Sequence, residues 1–184
     1  YGTTHGSINV SQALEKSCNY FFYETADLMG IDHLNTYCTK LGLGQKTGIE
    51  IPEAAGVLAG PEYRKKIDSE WYPGDVLQAA IGQSDNLFTP LQLANYVATI
   101  VNGGTRYKAH LVKSVNNSKD GSHVTGATIQ AMETLDMKEE NYHAIMYGMK
   151  LAADSGTAST LFSNYKVGVG AKTGTASDPS GTAN

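Results

Sequence analysis

Four residues near the end of the chain, Lys172-Thr173-Gly174-Thr175, gather a cation, two hydroxyls and a glycine in one short run. A lysine with threonine hydroxyls suits a carboxylate, a glycine admits another backbone at close range, and an outward N–H can serve an oxyanion. Read as a strand, Lys172 and Gly174 face one way and Thr173 and Thr175 the other. Such an edge accepts an extended peptide as an added strand. The same residues also fit a plain edge strand with a solvated lysine. Far upstream, Ser17-Cys18-Asn19 sets a hydroxyl and a carboxamide at i and i+2, which share a direction only in extended or turn backbone. The hydroxyl can relay a proton and the amide can bond a substrate backbone group. Ser and Asn also cap helices routinely, and Asn19 suits the start of the helical run after it.

Two further runs compete for these roles. Ser84-Asp85-Asn86 repeats the Ser-x-Asn pattern in a polar loop that needs turn formers anyway. Ser163-Asn164-Tyr165-Lys166 is the one S-x-x-K of the chain. A nucleophile of that kind needs its lysine one helical turn away. These four residues instead lead straight into an extended run, where i and i+3 face opposite sides. The chain therefore supplies no nucleophile with its base. His5, His33, His110, His123 and His143 lie far apart, and Cys18 and Cys38 belong to no C-x-x-C. No metal-ligand set or cofactor motif results, and pairing of the two cysteines stays open.

The elements that must position these groups are mostly helical. Ile8, Val10, Ala13 and Leu14 give a short apolar face over 7–17. A second helix is expected over 20–30, with Gly30 as its stop, and a third from Asp32 to Gly42. Residues 42–64 read as extended loop with a brief strand at 48–51, and 71–83 as a turn and short helix. Thr89-Pro90 opens the clearest helix, with Thr as cap, Pro in the first turn, and Leu91, Ala94, Tyr96, Val97, Ile100 and Val101 on one face. A hairpin is expected over 105–125 with Asn116–Gly121 at its tip, a long helix over 139–154, and a last strand over 166–176.

Bulk composition excludes several classes. The 184 residues are 41% hydrophobic and 17% charged, enough for one globular core. A formal charge of −4 with scattered Lys and Arg disfavours a phosphate backbone as partner. No apolar run nears the roughly 20 residues of a membrane span. Tyr1 opens no signal-peptide pattern and no initiator Met is present, so the chain reads as a piece of a longer protein.

In this order the motifs resemble the transpeptidase domain of class B penicillin-binding proteins. "INVSQALEKSCNYFFYE" resembles that family's helix, Ser-x-Asn and helix; "LGLGQKTGIEIPEAAG" resembles its following loop. "WYPGDVLQAAIGQSDNLFTPLQLANYVATIVNGGTRYKAHLV" looks most like the elongation-type members, of the penicillin-binding protein 2 kind, and "GMKLAADSGTAS" with "VGVGAKTGTA" completes the likeness. The resemblance covers nearly the whole chain. It implies an α+β fold, a partial form of the penicillin-binding-protein and serine β-lactamase-like transpeptidase fold. Residues 1–184 would be one partial domain, with 1–154 mostly its helical subdomain and 155–184 its Lys-Thr-Gly strand segment.

The resemblance also assigns roles. Ser17 falls at the family's Ser-x-Asn, while Ser84-Asp85-Asn86 falls in another loop and Ser163 to Lys166 in the approach to the last strand. Ser17 would relay protons with Lys172 beside it, and Asn19 would hold the substrate amide. Thr173 and Thr175 would bind the terminal carboxylate, Gly174 would also border the substrate, and the Thr175 N–H would lie in the oxyanion hole. The nucleophilic serine and its lysine would precede Tyr1. Implied partners are peptidoglycan stem peptides, β-lactam antibiotics and cell-elongation proteins, with no cofactor, metal or nucleic acid. The implied location is the extracytoplasmic face of a bacterial cytoplasmic membrane, held by an upstream anchor. A non-catalytic penicillin-recognition or sensor module, or a pseudoenzyme, of the same fold is the alternative. Gly170-Ala171 before Lys172 inverts the family's usual Ala-Gly, a small exchange.

Overall fold

A computed structural model describes residues 4–175. Its elements in chain order are α1 (Val10–Glu15), α2 (Asn19–Lys40), α3 (Pro61–Lys66), α4 (Asp75–Ala80), α5 (Pro90–Val101), β1 (Thr105–Tyr107), β2 (Ser114–Asn116), β3 (His123–Gly126), β4 (Ala131–Thr134), α6 (Glu139–Asp154) and α7 (Ser159–Phe162). They fall into two compact units, one from Tyr1–Leu34, Gly60–Ser84 and Met137–Asn184, the other from Asn35–Ala59 and Asp85–Asp136. The mixture of helices and short strands is the α+β composition expected.

The first unit is built on small residues. α1 opens with a reciprocal cap, in which Asn9 Oδ1 accepts from Gln12 N and Gln12 Oε1 accepts from Asn9 N, each at 3.0 Å. α1 then packs on α6, and Ala13, Ala152 and Ala153 are almost completely buried there. A Cβ on Gly148 would stand 2.8 Å from Leu14 Cδ1, so glycine lets the helices approach this closely. Ser11 Oγ donates to Ala144 O at 2.7 Å across the same contact. The run 19–40 is two helical pieces: Gly30, at φ 76° and ψ 160°, interrupts the helix where the sequence asks for a stop. The four-residue α7 is too short to leave a periodic signal, and the sequence does not predict it.

The second unit holds α5 and all the strands. Thr89 and Gln92 form a capping box, with Pro90 in the first turn. Gln92 is buried, and its Nε2 also donates to Gln45 O at 2.6 Å and Ala55 O at 2.7 Å, so the cap residue pins the long loop as well. β2 and β3 make the expected hairpin, while β1 pairs with β4 around it, both antiparallel. Buried Arg106 donates from Nε to Lys40 O at 3.1 Å, a cation at the end of a helix.

Two expected strands do not form. Residues 48–51 form no ladder; at the start of the run the Glu53 carboxylate accepts from Thr47 N at 2.9 Å and Gly48 N at 2.8 Å. The run from Lys166 to Thr175 is irregular, and residue 176 lies outside the described residues. Among the described residues no strand lies beside it; Ala171 N donates to Met149 O on α6 at 2.9 Å instead. No helix among the described residues is long and apolar enough to cross a membrane. Cys18 and Cys38 are free thiols, and burial pushes the Cys38 thiol up to about 11.

Candidate active site

The end of α1 positions Ser17. Lys16 closes the helix, Cys18 N donates back to Ala13 O at 3.0 Å and Ser17 N to Leu14 O at 3.3 Å. This pair of bonds is a Schellman stop, and its left-handed position belongs most often to glycine. Here it is held by Ser17 at φ 50°. Cys18 beyond it is buried, which anchors the turn. A β-carbon in that region costs about 1–2 kcal/mol, and such outliers collect at functional sites. The turn lifts the Ser17 hydroxyl away from the helix that carries it. α2 starts two residues later at Asn19, which is exposed.

Across 155 residues of sequence, Lys172 Nζ donates to Ser17 Oγ at 2.7 Å. The same ammonium donates to Thr173 O at 2.7 Å. Desolvation by the surrounding protein lowers the Lys172 pKa from its ordinary value. Lysine and serine thus form a cation–hydroxyl pair, in which the hydroxyl oxygen accepts and its proton remains free to be given elsewhere.

Two residues that the sequence reading did not single out hold the 172–175 run in place. Gln83 Nε2 donates to Thr175 O at 2.6 Å. The hydroxyls of Thr157 and Thr173 lie 3.0 Å apart. Thr157 N in turn donates to Glu15 O at 3.2 Å, and Ser155 Oγ to Glu15 Oε1 at 2.8 Å. A Cβ on Gly156 would stand 2.4 Å from Glu15 O, so that turn is pressed against the end of α1. One helix end therefore anchors both Ser17 and Thr157. Gln83 and Thr157 lie within the runs 71–112 and 148–159 that carry the family resemblance, but only the fold brings them to the 172–175 run.

The competing motifs go elsewhere. Asn86 Oδ1 accepts from Ala59 N at 3.0 Å, and Leu87 and Val57 exchange two backbone bonds beside it, at 2.7 and 3.0 Å. That triplet holds a loop, with Ser84 itself in left-handed backbone at φ 63°. Ser163 follows α7 and Lys166 lies in a bend, with no helical turn joining them. Asn19, Thr173, Gly174 and Thr175 are exposed, so the groups carried over by resemblance present themselves to solvent. Two surface hollows, of about 480 Å³ at 54–57 and 87–89 and about 300 Å³ at Asn164–Val167, include none of them.

An α+β unit thus brings Ser17 and Lys172 together beside the run that carries Thr173 and Thr175. The family described as the penicillin binding protein transpeptidase domain matches residues 1–182. The chain belongs to that family. It is 32% identical over 176 residues to the peptidoglycan D,D-transpeptidase MrdA of Escherichia coli K12, covering 94% of this chain and 28% of that protein. The structure of Pseudomonas aeruginosa PBP2 in complex with WCK 5153 is 30% identical, with TM-score 0.79 over 92% of this chain and 38% of that one. Helicobacter pylori PBP2 in its complex with MreC is 27% identical, with TM-score 0.80 over 96% of this chain and 32% of that one. The chain thus spans less than a third of the MrdA relative's length, and the transpeptidase fold expected from the sequence is present in part.

Proposed function

We propose that this chain forms the Ser-x-Asn and Lys-Thr-Gly walls of an elongation-type peptidoglycan D,D-transpeptidase that also binds β-lactams. The Lys172 to Ser17 contact at 2.7 Å carries this reading, because it unites the two motifs that the chemistry requires together. A serine outside this chain attacks the D-Ala-D-Ala carbonyl; the C–N bond breaks and D-Ala leaves as an amine. Ser17 passes the serine proton to that amine, and Lys172 holds the Ser17 oxygen and steadies negative charge nearby. A second stem-peptide amine then takes the acyl group, and its proton returns to the serine by the reverse path. Asn19 bonds the substrate amide. Thr173 and Thr175 receive the terminal carboxylate, Gly174 leaves room for the peptide backbone, and the Thr175 N–H faces the oxyanion.

The same reading puts the protein outside the cytoplasm, with peptidoglycan as substrate and cell-elongation proteins as partners. The names of the MrdA relative and of the MreC complex support it. Residues 1–154 are the mainly helical part of one transpeptidase domain and 155–184 its Lys-Thr-Gly segment. The test is labelling by a fluorescent penicillin. The full-length gene product forms a stoichiometric adduct at a serine outside 1–184, and this chain alone forms none. Acylation of the isolated chain at Ser17 or Ser163 would overturn the proposal.

A further inference from the structure

The proposed reaction asks one thing of Thr173: that its single O–H point at a carboxylate. A hydroxyl carries one donor and two acceptor sites, and its hydrogen turns to suit its neighbours. On a regular sheet the ladder would fix the backbone around such a group, but no ladder reaches Thr173 here. What does reach it is Thr157, whose Oγ1 lies 3.0 Å from Thr173 Oγ1. Thr157 is itself fixed at both sides. Its own N–H is tied to Glu15 O, Ala158 N donates to Ala152 O at 2.9 Å, and Ala158 is buried. Its β-branched side chain has few rotamers to choose from.

We propose that Thr157 is a positioning residue of this site, whose hydroxyl donates to Thr173 Oγ1 and so turns the Thr173 O–H onto the substrate or β-lactam carboxylate. Without a ligand either oxygen of the pair can donate. A carboxylate accepts only, so its arrival selects the arrangement in which Thr157 donates to Thr173 and Thr173 donates to the carboxylate. The two bonds polarise each other in the same sense. The proton count is unchanged, and no bond is made or broken at either threonine. Gln83, on Thr175 O at 2.6 Å, holds the far end of the same run. This inference rests on the transpeptidase reading above.

The experiment uses the full-length gene product and two probes: a penicillin with its free carboxylate, and the same penicillin with that carboxylate esterified. The second-order rate constant of acylation is measured for wild type, Thr157→Val, Thr157→Ser, Thr173→Val and the double valine variant. Valine keeps the shape and removes the donor; serine keeps the donor. Thr157→Val lowers the rate for the free acid about 3–10-fold, the size of one net hydrogen bond, and Thr157→Ser restores it. The esterified probe reacts with Thr157→Val as with wild type, and adding Thr157→Val to Thr173→Val costs nothing more. Equal losses for acid and ester would overturn the inference, because a merely structural residue slows both. So would additive losses in the double variant, or no loss with either probe. If the wild-type product is not acylated at all, the transpeptidase reading falls, and this inference with it; acylation of wild type with an indifferent Thr157→Val removes the inference alone.

Discussion

Ser17 carries two separable properties, a hydroxyl on Lys172 and a β-carbon in left-handed backbone, and substitution can divide them. At φ 50° the β-carbon costs about 1–2 kcal/mol. Glycine relieves that, but gives back about 0.5–1 kcal/mol through the freedom it adds to the unfolded chain. Alanine keeps the strain and loses the acceptor that Lys172 uses at 2.7 Å. Ser17→Gly is therefore more stable than Ser17→Ala by about 1 kcal/mol, which is about 2–4 °C in Tm at this chain length. The hydroxyl is gone from both, so both lose about 10²–10⁴-fold in acylation of the full-length product, the usual worth of a proton relay. Denaturant titration supplies the first comparison and stopped-flow labelling with a fluorescent penicillin the second. If Ser17→Ala is as stable as Ser17→Gly, the Schellman turn is not strained and its residue type is free. If Ser17→Gly acylates at the wild-type rate, the Ser17 hydroxyl relays nothing.

Three other outcomes follow from the geometry. Asn86→Ala strips Ala59 N of its acceptor and destabilises by about 1–3 kcal/mol in thermal unfolding, while Ser84→Ala leaves penicillin acylation unchanged, as a loop role demands. Desolvation lowers the Lys172 pKa from its ordinary value, and the proposed role needs the ammonium, so the acylation rate falls as pH rises through that lowered pKa; Lys172→Arg, which stays charged, removes that alkaline limb from the pH–rate profile. By hydrogen exchange, amides of 167–170 exchange faster than those of 97–101 within α5, with Ala171 slower than its neighbours because its N–H is held by Met149 O; uniform protection across 167–172 would mean that the run pairs more fully than its single backbone bond allows.

Local chemistry made several elements legible. Thr89-Pro90 and Gln92 state a helix start in four residues, and α5 begins there. Gly30 marks a break that the backbone makes with a positive φ. The hairpin tip follows from a run of turn formers between two alternating stretches, β2 and β3. What stayed hidden depends on groups distant in sequence. The carboxylate of Glu53 takes the backbone donors of Thr47 and Gly48, where a strand over 48–51 was expected to begin, and no periodicity reports on an acceptor supplied by a side chain. The pairing of β1 with β4 across the inserted hairpin is hidden in the same way.

The site shows the same division more sharply. Ser17 and Lys172 lie in short contiguous motifs, but only the family resemblance favours Ser17-Cys18-Asn19 over Ser84-Asp85-Asn86; the structure then brings the two side chains into contact. Gln83 and Thr157 could not be named, because an isolated glutamine or threonine in a turn carries no signal of what it will face. The place of Thr157 appears only once the end of α1 is seen to serve two turns: its last carbonyls close the one that carries Ser17, and Glu15 O receives the N–H of Thr157. A run that makes no sheet ladder is then held by that anchored region, by Gln83, and by the Ala171 N–H on Met149 O of α6. The geometry at Thr173 is accordingly set by side chains rather than by a sheet. A conservative change at Thr157 should therefore be felt at the carboxylate end of the site without disturbing the Ser17 and Lys172 pair.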